Sequence, residues 1–222
     1  SEMAKNKTGK KKIVVASILA ALAMQTASVI DVAAAVGDQP SAAIANGSVT
    51  SGKTNGLAIG NFASSGSNQS IAIGYYSVAT ATEADPALPA TAVGAGANAT
   101  GQSTVALGLL AQATSGSTTA LGAKSVASED AAVAVGYGTK ATGNYASALG
   151  ADATASNNDA TAFGHGTVAS GGSSTALGSR AKAGGTAGVG IGMLANATNQ
   201  YGVAIGGESS SSADNSIAIG RK

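Results

Sequence analysis

Thr104-Val105-Ala106-Leu107-Gly108, followed by Leu109-Leu110-Ala111-Gln112-Ala113-Thr114-Ser115-Gly116, is the stretch whose reading decides the fold. Its core is a triplet of small residue, apolar residue and glycine. The same triplet closes at Gly60, Gly74, Gly94, Gly108, Gly122, Gly136, Gly150, Gly164, Gly178, Gly192, Gly206 and Gly220. Successive glycines are 14 residues apart except from Gly74 to Gly94, where six extra residues are inserted. A fixed period of this size marks a chain that stacks one small unit many times, which is a solenoid and not a globule with a central pocket.

Within one period, Val105-Ala106-Leu107 is short, partly β-branched and closed by glycine, as a strand is. The stretch after the glycine alternates with period two. Its third position is always small (Ala63, Ser77, Ala97, Ala111, Ser125, Thr139), and so is its fifth (Ala79, Ala113, Ala141, Ala169, Ala197). The fourth wanders through Ser64, Val78, Asn98, Gln112, Lys140, Thr154 and Lys182. Alternate residues of a strand point to opposite faces, so the small residues look inward and the variable ones meet solvent. The closing glycine precedes a turn, where positive φ is expected. Ser, Thr, Asn or Gly at the other corner completes a second bend. Two short strands and two turns make one flattened coil, and parallel stacking at roughly 4.8 Å gives a rod on the order of 55 Å long.

The first strand has no polar face. One of its columns is large (Ile59, Ile73, Val93, Leu107, Leu121, Val135, Leu149, Phe163, Leu177, Ile191, Ile205, Ile219). The preceding column is alanine in every coil except at Gly190. A strand apolar on both sides is expected to be covered on both. The reading adopted puts the large column inside the coil and assigns the alanine column, Ala58, Ala72, Ala92, Ala106, Ala120, Ala134, Ala148, Ala162, Ala176, Ala204 and Ala218, to contact with sister chains. The reverse assignment stays open, since a pattern does not give direction. Either way a long apolar strip is left for an interface, and a closed ring of three rods would cover it around one axis.

Composition agrees with a thin, repeated core. Aromatic residues are 3% of the chain, tryptophan is absent, and glycine supplies 32 of 222 residues, while hydrophobic residues still reach 44%. That is too apolar for a disordered chain. There are no cysteines, which excludes disulfides and thiolate metal sites. The formal charge of +1 conceals five lysines in the first twelve residues. From Gly37 onward acidic residues outnumber basic ones, so the body has no electrostatic footprint for nucleic acid.

Residues 1–36 stand apart from the repeat. Lysines at 5 to 12 precede an apolar run from Ile13 to Met24 and small-residue exits at Ala21-Leu22-Ala23 and Ala33-Ala34-Ala35. That order reads as a secretory signal peptide, or as an uncleaved hydrophobic anchor, since about 24 residues of helix would cross a bilayer. Residues 37–56, with Ile44, Val49 and Asn46-Gly47, read as a degraded capping coil. Residues 57–222 carry the repeats, interrupted near 81–90 by Glu83-Ala84-Asp85-Pro86-Ala87-Leu88-Pro89, which is expected to bulge from a turn.

The recurring Ser/Thr-x-Ala-Ile/Leu/Val-Gly, as in Asn68-Gln69-Ser70-Ile71-Ala72-Ile73-Gly74 and Asn215-Ser216-Ile217-Ala218-Ile219-Gly220, resembles the head repeats of trimeric autotransporter adhesins of the YadA type. The resemblance covers about residues 43–222. It implies an all-β, left-handed parallel β-roll with 14-residue coils, a homotrimer, export and display on the outer membrane of a Gram-negative cell. The implied function is attachment to host cells or matrix proteins such as collagen and fibronectin, without cofactor, metal or catalysis. The chain shows no neck motif, heptad stalk or carboxy-terminal anchor strands and stops in a repeat. The expectation is therefore a head segment, anchored through parts outside this chain or through its amino-terminal segment, or a structural fibre without a dedicated receptor.

Few residues carry chemistry. His165 is the only histidine, so no histidine pair or triad forms within one chain. Glu129-Asp130 and Glu83 with Asp85 have no partner that suggests acid and base roles, and read as surface turns. The glycines of Gly184-Gly185-Thr186-Ala187-Gly188-Val189-Gly190 lack the Lys-Ser/Thr of a phosphate loop. For ligand binding the candidates are Tyr75, Tyr76, Tyr137, Lys140, Arg180 and Lys182, with Tyr145 and Tyr201 also exposed by pattern, because Tyr and Arg are enriched in binding hot spots.

Overall fold

The computed structural model describes residues 42–44, 48–49, 55–81 and 88–222. The chain winds as a parallel β-solenoid. Three-residue strands, from Ala42–Ile44 to Ile217–Ile219, form a 13-stranded long sheet, and two-residue strands, from Ser48–Val49 to Ser210–Ser211, form a 12-stranded short sheet. Each strand pairs in parallel with its counterpart one coil away: Val105, Ala106 and Leu107 lie against Thr119, Ala120 and Leu121, and Gln112 and Ala113 against Val126 and Ala127. The insertion leaves this register intact. Ile71 pairs with Thr91 and Val78 with Asn98 across it, so the strands on either side keep the pairing of the uninterrupted coils. Residues 82–87, most of the expected bulge, lie outside the described residues, as does all of segment 1–36. Strands Ala42–Ile44 and Ser48–Val49, within the expected capping coil, extend both sheets by one coil.

The interior is built from four small residues per coil. Ala106, Ala111, Ala113 and Thr118 form one cross-section, and Ala120, Ser125, Ala127 and Ala132 form the next, all fully buried. The expected inward direction of the third and fifth positions after each glycine agrees with their burial along the rod. Enclosed hydroxyls are satisfied by nearby carbonyls or hydroxyls, with Ser174 Oγ the one exception among the described residues. Thr118 Oγ1 donates to the Ser115 carbonyl at 2.8 Å, Ser125 Oγ to Gly122 at 2.8 Å and Thr167 Oγ1 to Gly178 at 2.8 Å. A buried polar group must find such a partner or cost about 1–3 kcal/mol.

Backbone hydrogen bonds between coils continue through the corners. Leu110 N–H donates to Ala95 O at 2.9 Å and Tyr145 N–H to Asp130 O at 2.8 Å. Both turns need a left-handed residue, and most of those positions are not glycine: Phe62, Tyr76, Leu110, Lys124 and Arg180 at the first corner, and Ser117, Ala131, Tyr145 and Tyr201 at the second, have φ between 52° and 61°. Such a residue costs on the order of 1–2 kcal/mol, offset here by the inter-coil bonds. It also turns a side chain outward, so the corners display large groups such as Phe62, Tyr76 and Tyr145.

The closing position requires glycine for a second reason besides its positive φ. A β-carbon on Gly108 would lie 2.6 Å from the carbonyl oxygen of Gly122 in the next coil, at φ 137°. On Gly220 it would meet nothing, although φ is 125°. Gly108→Ala therefore combines a clash with backbone strain of about 1–3 kcal/mol, while Gly220→Ala carries strain alone. In thermal unfolding followed by circular dichroism, Gly108→Ala should lower Tm several degrees more than Gly220→Ala. Equal shifts would mean that contact between coils is not what demands glycine.

Candidate binding surfaces

The long sheet reverses one sequence expectation. Ala58, Ala72, Ala92, Ala106, Ala120, Ala134, Ala148, Ala162, Ala176 and Ala204 are buried inside the coil within a single chain, and Ala218, in the last strand, faces the same way but is half-covered. They cannot be the surface offered to sister chains. The large column points out instead: Leu107 is 40% and Phe163 47% exposed, with Leu121, Leu149 and Leu177 exposed beside them and Ile59, Ile73 and Val135 half-buried. Val105, two residues before Leu107, is on the same outer face. The physical reason is space. Two sheets whose facing columns are Ala, Ser and Thr leave no room for leucine between them, and close-packed interiors tolerate little change in volume. The sequence carried this signal in size: the alanine column hardly varies, while the large column ranges from Val to Phe.

Tyr75 and Tyr76 occupy the first corner of one coil and meet Phe62 of the coil before. Phe62 stacks on Tyr76 with centroids 4.6 Å apart and planes at 19°, and Tyr75 stands edge-on to Tyr76 at 4.5 Å. All three rings are more than half exposed. Two coils on, Leu110 leans over the bare Gly96 in the same column, since a β-carbon on Gly96 would come within 2.7 Å of Leu110 Cδ2. Phe62, Tyr75, Tyr76, Leu109 and Leu110 thus line one apolar ridge along this corner.

Tyr137 lies farther along the rod, and Lys124 Nζ sits 5.6 Å from its ring centroid and 3.4 Å from its hydroxyl. That cation–π contact is exposed and contributes about 0.5–1 kcal/mol. Lys140 and Lys182 emerge from the outer face of the short sheet, opposite Val126 and Val168 on their neighbours. They are three strands apart, roughly 14 Å. Arg180 is at the first corner, where its N–H donates to the His165 carbonyl at 2.9 Å. His165 is an exposed corner residue. The six candidate ligand-binding residues are all exposed but do not converge on one site: Tyr75 and Tyr76 share a corner, while Tyr137, Lys140, Arg180 and Lys182 lie farther along the rod. Among the described residues no cluster of His, Asp or Glu could hold a metal ion, and no helix is long and apolar enough to cross a membrane.

The second corner holds a concavity that sequence reasoning missed. Gly101, Gln102, Thr114, Ser115, Gly116, Ser117, Asp130, Ala131 and Tyr145 line a cleft of about 590 Å³ over successive coils. Asp130 is placed there by its Oδ1, which accepts the Gly116 N–H at 3.1 Å and the Ser115 hydroxyl. Spaced 15 residues from Ser115, it had no visible partner in sequence; counting modulo 14 brings the two within one position of the same column.

A sequence model of the YadA head domain repeat matches residues 51–83, 89–111, 113–139, 141–167 and 197–222, more than half of the chain. Among solved structures, the crystal structure of the collagen-binding domain of the Yersinia adhesin YadA is similar, with 32% identity over 67% of this chain and 81% of that one and a TM-score of 0.48. None of the curated proteins matches.

The reversed assignment is directly testable. Ala120→Leu should cost about 1–3 kcal/mol or more by overpacking, whereas Leu121→Ala should leave the fold of the chain intact. Denaturant unfolding in which Ala120→Leu is the milder change would contradict the placement of these columns.

Proposed function

The chain belongs to the family of YadA head-domain repeats, and on that premise we propose that it is the trimeric, adhesive head of a surface-displayed protein, exported and carried on the outer membrane of a bacterial cell. The observation that carries this reading is the outward large column of the long sheet. A strip of Val, Leu, Ile and Phe the length of the rod is larger than a soluble monomer ordinarily exposes. Three copies turned inward on one axis would bury it, and cyclic closure leaves no copy of the strip unpaired. The short sheets and corners then face out three times over.

The adhesive partners proposed are host matrix proteins, collagen or fibronectin, or the host cell surface. The rod's outward groups are shallow and repeated, which suits an elongated partner held by many weak contacts summed over three chains. Tyr75, Tyr76 and Arg180 are proposed as the strongest contacts, with Tyr137, Lys140 and Lys182 adding to them, because exposed aromatic and guanidinium groups contribute most to such interfaces. The role is non-enzymatic: adhesion requires only that the surface be rigid and presented.

Two measurements test this separately. In multi-angle light scattering the head should have the mass of three chains, and Leu107→Glu with Leu149→Glu should reduce it to one while the β circular dichroism spectrum is retained; a stable lone wild-type chain contradicts the assembly. On immobilised collagen, fibronectin and cultured cells, Tyr75→Ala with Tyr76→Ala and Arg180→Ala should weaken attachment by about tenfold or more. Wild-type protein that attaches to none of these surfaces contradicts adhesion.

A further inference from the structure

We propose that the cleft at the second corner is a carbohydrate site that holds one pyranose ring of a neutral glycan against Tyr145. The inference stands on that cleft alone and rests neither on matrix-protein attachment nor on the trimer. At about 590 Å³ the cleft is in the range of small-molecule sites. Tyr145 forms one wall and is 65% exposed, the most exposed aromatic side chain among the described residues. Among the described residues its ring has no aromatic or cationic partner. Phe62, Tyr75 and Tyr76 spend their faces on one another, and Tyr137 carries Lys124. The Tyr145 main chain is fixed at the corner, since its backbone N–H donates to the Asp130 carbonyl at 2.8 Å.

The rest of the lining selects the chemistry. Gln102 offers an amide, Thr114, Ser115 and Ser117 offer hydroxyls, and Asp130 offers a carboxylate fixed through Gly116 N–H and Ser115. A pyranose presents a flat face of C–H groups, which lies on the electron-rich face of a phenol ring. Its rim carries hydroxyls that both donate and accept, and these match an amide, hydroxyls and a carboxylate. No lysine, arginine or histidine lines the cleft. A sulfated or sialylated sugar would therefore meet a carboxylate with no compensating cation, and the site favours uncharged sugars.

The intact protein is tested by saturation-transfer difference NMR and titration calorimetry with the methyl glycosides of galactose, glucose and N-acetylglucosamine, with sialyllactose, and with Nα-acetyl-lysine methylamide. Tyr145→Ser takes the residue found in the same column at Ser117 and Ser173. Asp130→Asn retains an acceptor of the kind by which Asn158 Oδ1 receives the Asn144 N–H at 3.3 Å. Tyr201→Ser changes the corresponding residue four coils away. The expected result is transfer to at least one neutral glycoside and weaker transfer to sialyllactose. Tyr145→Ser should lower affinity by about tenfold and Asp130→Asn should lower it less, with Tyr201→Ser unchanged and all three melting as wild type does. The proposal is overturned if no neutral glycoside binds, if Tyr145→Ser binds as the wild type does, if Tyr201→Ser weakens binding equally, or if the lysine derivative or sialyllactose is preferred.

Discussion

The narrow gap between the two sheets governs the rest of the molecule. It admits Ala, Ser, Thr or Gly from each of four inward columns and nothing larger, so a coil has almost no apolar volume of its own. Cohesion comes from repetition: each coil lends its neighbours backbone hydrogen bonds in both strands and both turns, and stability becomes a sum over neighbour contacts. The closing glycines belong to the same constraint, since coils at this spacing leave no room for a β-carbon where one glycine crosses the next.

A core so thin sends every large side chain outside, and the coil decides where. The long sheet carries an unbroken outward column of Val, Leu, Ile and Phe beside one that mixes Val and Ile with Thr and Ser; the short sheet carries a mixed polar face, and the corners carry residues that pack against nothing inside. Corner positions are limited mainly by their left-handed backbone, so Phe62, Tyr76, Arg180, Tyr145 and Asp152 all occur there. That division of labour is what an adhesive rod requires. The proposed assembly face is dominated by its large apolar column, and the groups proposed to meet ligands occupy positions where substitution does not disturb the stack.

Much of this was legible in the sequence. The spacing of Gly60 through Gly220 gave coil length, strand positions and register, because a 14-residue period leaves only one way to align neighbouring strands. Alternation gave the inward direction of Ala111 and Ala113. It could not orient Val105-Ala106-Leu107, whose two faces are both apolar, and hydropathy pointed the larger one inward; constancy of size at Ala106 was the better guide. The left-handed corners were hidden because Tyr76, Leu110 and Tyr145 are not residues that usually announce positive φ. The Asp130–Tyr145 cleft was hidden because its members come from different coils, and exposure alone could not show that Tyr75 and Tyr76 form one cluster with Phe62 while Lys140 and Lys182 stand apart.

The wild-type chain has no cysteine, so single cysteines at 133, 134 and 135 report the direction of the long strand without interference. With a small thiol reagent and a bifunctional crosslinker applied to the folded protein, the account predicts that Ala134→Cys stays unreactive until the chain is unfolded, while Val133→Cys and Val135→Cys are labelled or joined to a second chain. Labelling or interchain crosslinking of Ala134→Cys in the folded protein, with Val133→Cys and Val135→Cys silent, would contradict it.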